Sequence, residues 1–320
     1  MNLNLLLENL TNPALLFFVL GIIAAYLKSD LEIPKNSSKF ISLYLLFAIG
    51  FKGGQELSHE AFTNEILWSM LFGIFISGII PVYTFFILRR KLSVYDAGAI
   101  AAAYGSVSAV TFVTAVSFLE SQQLALHGHM VAIMALMESP AIIIGLVLIS
   151  FFNKDKSSSI QKRSALKHSL TNGSVLLILG SLVIGYLASE KQAQGIEPFT
   201  NDLFKGFLAI FLLDMGITSG QKMKSFFSFG WFPFLFAILI PLLNGCVFAV
   251  LSSFVTTDVT NRFIFAILAA SASYIAVPAA MKITVPQANP GLFLPMALAV
   301  TFPINITIGL PLYFLIVQNF

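Results

Sequence analysis

Apolar runs of about 20 residues recur from one end of this 320-residue chain to the other. A run of that length is what an α-helix needs to cross the hydrocarbon core of a bilayer. Charged residues make up only 10% of the sequence, whereas soluble domains carry about a quarter. The sequence therefore predicts an all-α integral membrane protein that crosses the bilayer many times.

The apolar runs divide into ten predicted spans, five on each side of the longest polar stretch, Asn153–Ser169. The second span is short, and its helix could extend over 37–57. We predict a first five-helix repeat over 1–152, a linker over 153–170 and a second five-helix repeat over 171–320. The predicted spans are 12–27, 40–51, 66–88, 97–119, 129–151, 172–188, 203–218, 230–254, 262–281 and 292–317.

Lysine and arginine are distributed unevenly between the two sides of the predicted bundle. Loops that follow odd-numbered spans hold 14 of the 18 basic residues. Because basic residues accumulate on the cytoplasmic side of membrane proteins, we expect the central loop in the cytoplasm and both termini outside. Met1–Leu10 has no basic region before the first span, which argues against a cleaved signal peptide. The one cysteine, Cys246, excludes an intrachain disulfide.

Short matches between the two halves indicate an internal duplication. Gly50–Gln55 resembles Gly216–Gln221 at a displacement of 166 residues, and Gly145-Leu146 matches Gly309-Leu310 at 164. Each match is weak, but their common order and nearly constant spacing favour a true repeat. Because each half holds an odd number of spans, the two repeats are expected to lie in opposite orientations.

The fourth and ninth spans are interrupted near their middle by small and hydroxylated residues. The stretches are Ala101–Thr111 and Ala269–Pro278, and the second adds a helix-breaking proline. A small-residue face for helix packing explains either stretch taken alone. Paired interruptions in inverted repeats, however, are typical of a transporter's binding site. We therefore predict two broken helices that run antiparallel and cross near the membrane midplane.

The predicted crossing offers groups that suit an anion. Second half-helices that start near Ser108 and Ile275 would point their N-termini at the crossing, where unpaired N–H groups and a partial positive charge attract anions. Carbonyls that end the first half-helices suit a sodium ion. The predicted substrate-binding residues are Gly105, Ser106, Ser108, Thr111, Ser271, Ser273, Tyr274 and Ala276.

Glu138 is a carboxylate in the middle of the fifth predicted span. Such a group is costly unless it pairs, binds a cation or is protonated. We predict that Glu138 holds sodium, alone or with Ser139 and Asn305. A protonated acid that bonds to a neighbouring helix is the alternative, and a proton is the alternative coupling ion. For Asn305 an interhelical hydrogen bond is an equally compatible role.

Other polar residues receive simpler interpretations. Asp214, near a span end, is predicted to be solvated or paired with a lysine, and Lys52 and Glu56, after a Gly-rich turn, to be solvated. His127 and His129 have no third ligand nearby, which argues against a metal site. No nucleotide-binding loop, metal-hydrolase motif or nucleophile elbow occurs. The sequence thus predicts secondary transport, not an enzyme or an ATP-driven pump, with no cofactor beyond a coupling ion and no nucleic-acid partner.

Five motifs spread over nearly the whole chain carry a family resemblance: Gly53-Gly54-Gln55, Tyr104–Thr111, Met137–Pro140, Ser271–Pro278 and Val285–Pro290. They resemble motifs of the sodium-dependent bicarbonate transporters typified in cyanobacteria. The resemblance implies ten helices in inverted repeats, with a gate unit of spans 1, 2, 6 and 7 and a core unit of the other six. It also implies a homotrimer in the bacterial inner membrane and sodium-driven bicarbonate uptake by elevator-like movement of the core.

The chain departs from that family's pattern at the second interruption. Family members carry aspartate at the position of Tyr274, serine and glycine at Ala276 and Val277, and aspartate at Glu138. The loss of hydroxyls and a carboxylate introduces two alternatives: another small monovalent anion or carboxylate as the substrate, and a membrane sensor without transport as the function. The short loop over 153–169 also argues against the family's PII-like regulatory partner.

Overall fold

The computed structural model describes residues 11–153 and 173–320. Every regular element among these residues is a helix, which confirms the all-α prediction. Most of the predicted linker, 153–170, and Met1–Leu10 lie outside the described residues. Six helical stretches are long and apolar enough to cross a membrane. Shorter apolar helices lie at Pro13–Leu27, Leu176–Leu187 and Val259–Ala270.

Residues 11–153 form seven helices, and local side-chain caps fix several of their starts. Ser93 and Ser108 each accept a hydrogen bond from the N–H group three residues further on, which satisfies a backbone donor at the start of a helix. The helices are α1 (Pro13–Leu27), α2 (Lys35–His59), α3 (Asn64–Leu88), α4 (Val94–Gly105), α5 (Ala109–Ser121), α6 (Gly128–Leu136) and α7 (Glu138–Phe152).

Residues 173–320 form seven further helical stretches. The last of them widens into π-helical turns at Met296–Thr301 and Asn305–Gly309, a feature often found at functional sites. The stretches are α8 (Gly173–Leu187), α9 (Glu190–Gln194), α10 (Phe204–Phe226), α11 (Trp231–Leu251), α12 (Val259–Ala270), α13 (Ala276–Thr284) and α14 (Pro290–Asn319).

The second predicted span, 40–51, is too short, and its alternative extension over 37–57 is close to the observed α2, which runs over Lys35–His59. The Gly-rich turn predicted before Lys52 and Glu56 is absent, since Gly50, Gly53 and Gly54 are all helical. These glycines serve close packing: a Cβ atom at Gly54 would lie 2.1 Å from the Leu182 carbonyl oxygen. Packing against neighbouring helices thus keeps α2 helical at glycines that by themselves would weaken the helix.

Two glycine crossings join four helices into one group. Gly21 of α1 meets Gly216 of α10, and Gly54 of α2 meets Gly185 of α8. A Cβ atom at Gly21 or at Gly185 would lie 2.2 Å from a backbone oxygen of the facing helix. Only glycine permits backbones to approach so closely. We call α1, α2, α8 and α10 the glycine bundle.

The other long helices pack into a second group. In it α4 and α7 run antiparallel: a Cβ atom at Gly98 would lie 2.1 Å from Ile149 Cγ1, and one at Gly145 would lie 2.7 Å from Ala102 Cβ. Helix α11 packs on α12, and α14 contacts both. We call α3–α7 together with α11–α14 the broken-helix bundle.

The two bundles meet between α2 and α6. A Cβ atom at Gly128 would lie 2.1 Å from the Gly53 carbonyl oxygen. Glu60, directly after α2, accepts a hydrogen bond from Gly128 N at 2.8 Å, and its Oε2 lies 2.7 Å from His129 Nδ1. The connection between α2 and α3 is therefore fastened to the start of α6.

His127, directly before α6, lies between two carboxylates. Its Nδ1 is 3.5 Å from Glu60 Oε1, and its Nε2 is 3.5 Å from Asp258 Oδ2. The carboxylates of Asp258 and Glu60 raise the pKa of His127 to about 10. The imidazolium therefore links the end of α2 to the starts of α6 and α12.

Replacing Gly185 by alanine should destabilise the glycine bundle, because the new methyl group meets the Phe51 carbonyl oxygen at 2.2 Å. Overpacking of this kind costs about 1–3 kcal/mol. Gly180→Ala on the same helix is the control, since nothing lies within 4 Å of a Cβ atom there. Thermal unfolding in detergent should show a lower midpoint for Gly185→Ala only. Equal midpoints would contradict the crossing.

The His127 contacts predict a pH-dependent stability. Because the folded-state pKa lies above the ordinary value of 6.5, the stabilisation is complete below about pH 6.5 and is lost as the pH rises through about 10. His127→Gln should therefore lower the unfolding midpoint near neutral pH, and the difference from the wild type should vanish above pH 10. His59→Gln is the control, since His59 is exposed and lies 3.9 Å from exposed Glu190. A difference independent of pH would refute this assignment.

Candidate functional site

The first interruption separates α4 from α5. Residues 106–108 are not helical, and Ser108 caps α5 through a hydrogen bond from Thr111 N to Ser108 Oγ at 3.2 Å. Gly105 ends α4 against α3, where a Cβ atom would lie 2.1 Å from Pro81 Cγ. The small residues predicted to break the fourth span thus serve both a cap and a close helix contact.

The second interruption separates α12 from α13. Residues 271–275 are not helical, and Ser273 Oγ accepts a hydrogen bond from Val277 N at 3.3 Å in the first turn of α13. Pro278 follows in the same turn and has no N–H group to satisfy. As at the first interruption, a serine hydroxyl takes one of the free donors that begin the second half-helix.

The two interruptions touch each other. Ser273 N donates to the Ala103 carbonyl oxygen at 2.8 Å, and Ser108 N donates to Ser271 Oγ at 3.1 Å. Each break therefore satisfies a backbone group of the other. The hydroxyl residues predicted for the site are all buried in this contact region: Ser106, Ser108, Thr111, Ser271 and Ser273.

Several polar groups at the contact have no protein partner. No described acceptor takes the backbone N–H groups of Val110 and Ala276, in the first turns of α5 and α13. Among the described residues, the buried Ser106 hydroxyl and Tyr274 hydroxyl also make no hydrogen bond. The Tyr274 hydroxyl lies near that of Ser108 without bonding geometry. These donors belong to the two touching interruptions, where the half-helix N-termini carry partial positive charge, an arrangement that suits an anion.

Two asparagines hold the end of α12. Asn305 Nδ2 donates to the Ala270 carbonyl oxygen at 2.7 Å, and Asn305 Oδ1 accepts from the Tyr313 hydroxyl at 3.0 Å. Asn244 Nδ2 donates to the Ala269 carbonyl oxygen at 3.3 Å, and its Oδ1 accepts from the Tyr83 hydroxyl. The structure thus gives Asn305 the interhelical bond that the sequence left as an alternative.

Sequence reasoning missed Asn244 and Tyr83. The available signal was an amide in the middle of the eighth span, because polar side chains inside membrane helices usually bond to another helix. That signal does not reveal the partner, since Tyr83 lies 161 residues away in the chain. The pairing follows from the packing of α3 beside α11.

Glu138 starts α7 and is only partly buried. Because Gly145 lies beside Ala102 on the antiparallel α4, Glu138, about two turns earlier on α7, is level with the first interruption. No hydrogen bond joins its carboxylate to Asn305 or to any other described residue. Ser139 has a partner of its own. Sodium binding by Glu138, Ser139 and Asn305 stays a prediction.

A cavity of about 620 Å³ reaches the second interruption from one side of the membrane region. Asp214 of α10 lies in its wall, is 9% exposed and accepts a hydrogen bond from Ser38 Oγ. The predicted solvated or lysine-paired state of Asp214 is therefore wrong, because α2 covers it. We call this the Asp214 cavity; its lining includes Lys35, Ser38, Lys39, Asp214, Tyr274 and Ile275.

A second cavity of about 690 Å³ lies between α2, α5 and the start of α10. Lys52 Nζ is 2.5 Å from Glu120 Oε1 in it, so the prediction of a merely solvated Lys52 is wrong. We call this the Glu120 cavity. The first α5 residue in its lining is Val116, eight residues and so about 12 Å beyond Ser108. The Glu120 cavity therefore stops short of the interruptions, whereas the Asp214 cavity reaches the second one.

A family model described as the Na+-dependent bicarbonate transporter superfamily matches residues 13–318. No curated protein matches the chain. The family match includes both interruptions, both cavities and all residues predicted for the site.

Asn305→Leu should destabilise the protein, because the Ala270 carbonyl and the Tyr313 hydroxyl both lose a partner in a fully buried position. A buried polar group left without its bond costs about 1–3 kcal/mol. Tyr313→Phe removes only one of the two bonds and should cost less. Chemical unfolding in detergent measures both, and an Asn305→Leu variant as stable as Tyr313→Phe would show that the Ala270 bond contributes nothing.

Proposed function

The chain belongs to the Na+-dependent bicarbonate transporter superfamily, and we propose that it is a secondary active symporter of a small anion. Bicarbonate is the first substrate to test and sodium is the coupling ion. The protein is a multi-pass membrane protein. We further propose the bacterial inner membrane as its location, with both termini outside because most basic residues lie in loops after odd-numbered spans.

The contact of the two interruptions is the observation that carries this proposal. It combines unpaired N–H groups at Val110 and Ala276 with partnerless hydroxyls at Ser106 and Tyr274. These are hydrogen-bond donors beside two helix N-termini, at a contact that the Asp214 cavity reaches, and such a position favours an anion. The proposed binding residues are Gly105, Ser106, Ser108, Thr111, Ser271, Ser273, Tyr274 and Ala276.

The cation is proposed to bind at the depth of the first interruption. Glu138 is the carboxylate at that level, and no described group neutralises it. A carboxylate in a membrane segment is favoured by a bound cation or a proton. Ser139 and the carbonyls at the breaks supply further oxygens, and Asn305 contributes by fixing the Ala270 carbonyl. A proton is the alternative coupling ion.

The glycine contacts support ten spans arranged as inverted repeats over 1–152 and 171–320. The crossing of Gly21 with Gly216 has the same geometry as that of Gly185 with Gly54. Gly185 lies 164 residues after Gly21, and Gly54 lies 162 residues before Gly216. The duplication therefore maps the first glycine pair onto the second. A duplication in opposite orientations produces such a reciprocal pair.

Alternating access is proposed to occur by movement of the broken-helix bundle against the glycine bundle. The glycine bundle is suited to stay fixed because its helices are in backbone contact. The two cavities are unequal, since the Asp214 cavity reaches the second interruption and the Glu120 cavity reaches neither interruption. With the proposed orientation that cavity opens to the cytoplasm, so the described conformation faces inward. A homotrimer is proposed from the family resemblance alone.

Two alternatives have a specific observation in their favour. The Tyr274 ring lies at the second interruption and packs against Phe302 with ring centroids 6.2 Å apart. A phenol there leaves less room and less charge than a carboxylate, which favours another small anion or carboxylate as the substrate. The same substitution favours a membrane sensor that binds its ligand without transport. A PII-like partner would act on the loop 153–169, which lies mostly outside the described residues.

Uptake of labelled bicarbonate into proteoliposomes tests the proposed function. Uptake should require an inward sodium gradient and should stop when the gradient is collapsed. The same assay with formate and acetate separates bicarbonate from other small anions. Uptake that is absent for every anion, together with measurable ligand binding, would favour the sensor, and sodium-independent uptake would contradict the proposal.

Glu138→Gln separates the two coupling ions. Under sodium coupling, the variant should need a higher sodium concentration for half-maximal uptake, and external pH should matter little. Under proton coupling, the variant should lose pH dependence while sodium stays irrelevant. Glu190→Gln, at an exposed carboxylate on α9, is the control. Unchanged ion dependence in Glu138→Gln would show that this carboxylate has a structural role only.

A further inference from the structure

The Glu120 carboxylate lies between two lysine ammonium groups in the Glu120 cavity. Its Oε1 is 2.5 Å from Lys52 Nζ, and its Oε2 is 3.8 Å from Lys205 Nζ. The Glu120 and Lys52 side chains are 24% and 37% exposed. Each carboxylate oxygen therefore faces its own cation, with the Lys52 contact partly buried in the cavity and the Lys205 ammonium group at its exposed edge, where the side chain is 68% exposed.

The three residues belong to different bundles. Lys52 lies in α2 and Lys205 in α10, both of the glycine bundle, whereas Glu120 lies near the end of α5 in the broken-helix bundle. Any displacement of one bundle along the other removes Glu120 from the lysines. The lysines themselves stay together, because α2 and α10 pack in the same bundle.

The position of Lys52 in the helix indicates a functional role and not only a contribution to stability. It lies within α2 between Phe51, which is buried, and Gly53, whose backbone packs on α6. Ionisable residues in membrane helices are rare and usually serve function, whereas partly exposed ion pairs add little stability. A lysine that faces a cavity of about 690 Å³ can instead bind a soluble anion.

The chemistry of Glu120 indicates which anion. A carboxylate is a small planar O–C–O group, and two ammonium groups on its two oxygens fit that shape. Glu56 and Asp202 also line the cavity, so its overall charge does not attract anions over a long range. Selectivity must come from the two close ammonium groups.

We propose that Lys52 and Lys205 form an anion site for small planar oxyanions such as bicarbonate, which Glu120 occupies in this conformation. The inference rests on the alternating access proposed above. When the broken-helix bundle moves outward, Glu120 leaves and the incoming substrate anion takes its place between the lysines. When the bundle returns, Glu120 displaces the anion from the lysines, so the glutamate acts as an internal competitor of the substrate.

The proposal predicts opposite changes in the bicarbonate KM for single substitutions on the two sides of the ion pair. Lys52→Gln should raise the bicarbonate KM of sodium-driven uptake roughly tenfold, the change expected for loss of one charge-assisted hydrogen bond. Glu120→Gln should lower the KM, because the competitor is neutralised. The double variant should behave like Lys52→Gln. Lys191→Gln, at an exposed lysine outside the cavity, should leave the KM unchanged.

If the ion pair of Lys52 and Glu120 only held the two bundles together, the KM values of the variants would follow a different pattern. Loss of either partner would then favour the outward conformation equally, and both variants would change the KM in the same direction. That result, or an unchanged KM in Lys52→Gln, overturns the anion site while leaving sodium-driven uptake intact.

A binding measurement keeps the test independent of transport. Cys246 is the only cysteine, so Cys246→Ser with Lys52→Cys places a single thiol at the site. Bicarbonate should slow modification of that thiol by a methanethiosulfonate reagent, and more strongly when Glu120→Gln is added. Attachment of an aminoethyl group, which restores a positive charge, should recover the KM, whereas a sulfonatoethyl group should not. Modification rates indifferent to bicarbonate would refute the site even if the wild type proved inactive in uptake.

Discussion

The hydrogen bond from Ser273 N to the Ala103 carbonyl is the contact on which this membrane protein's centre depends. A helix interrupted inside a bilayer exposes backbone groups that lipid cannot satisfy. Here each interruption supplies partners for the other, since Ser108 N in turn donates to Ser271 Oγ. Asn305 and Asn244 satisfy the last carbonyls of α12. What stays unsatisfied is a small set of donors, and those donors are the proposed anion site.

The proposed movement of the broken-helix bundle has to leave these hydrogen bonds between the interruptions intact. The bonds between the interruptions lie within the broken-helix bundle, so that bundle can shift as a unit without breaking them. The glycine crossings lie within the other bundle. Beside apolar contacts such as Phe18 with Phe302, the two bundles share charged contacts, including Lys52 with Glu120 and Glu60 with His129. Such contacts exchange readily with water or a soluble anion, which suits an interface that slides.

Much of this arrangement could be predicted from the sequence, because it depends on local chemistry. Gly105, Ser106 and Ser108 weaken a helix wherever they lie, so both interruptions were predicted at the right residues. The errors concern residues whose neighbours are distant in the chain. Asp214 was predicted to be solvated or paired with a lysine, but it accepts a hydrogen bond from Ser38 of α2. Lys52 was predicted to be solvated, but it forms an ion pair with Glu120 of α5.

The sequence by itself determined that the chain is an all-α membrane protein with two interrupted helices, since apolar length and helix-breaking residues act locally. The family was also readable from its motifs. Only the tertiary structure decided which donors remain free at the interruptions, that Asn305 serves the Ala270 carbonyl, and that Glu120 lies between two lysines. The physical reason is that a polar group's state depends on its partner, and packing between residues 35 or more positions apart in the chain selects that partner.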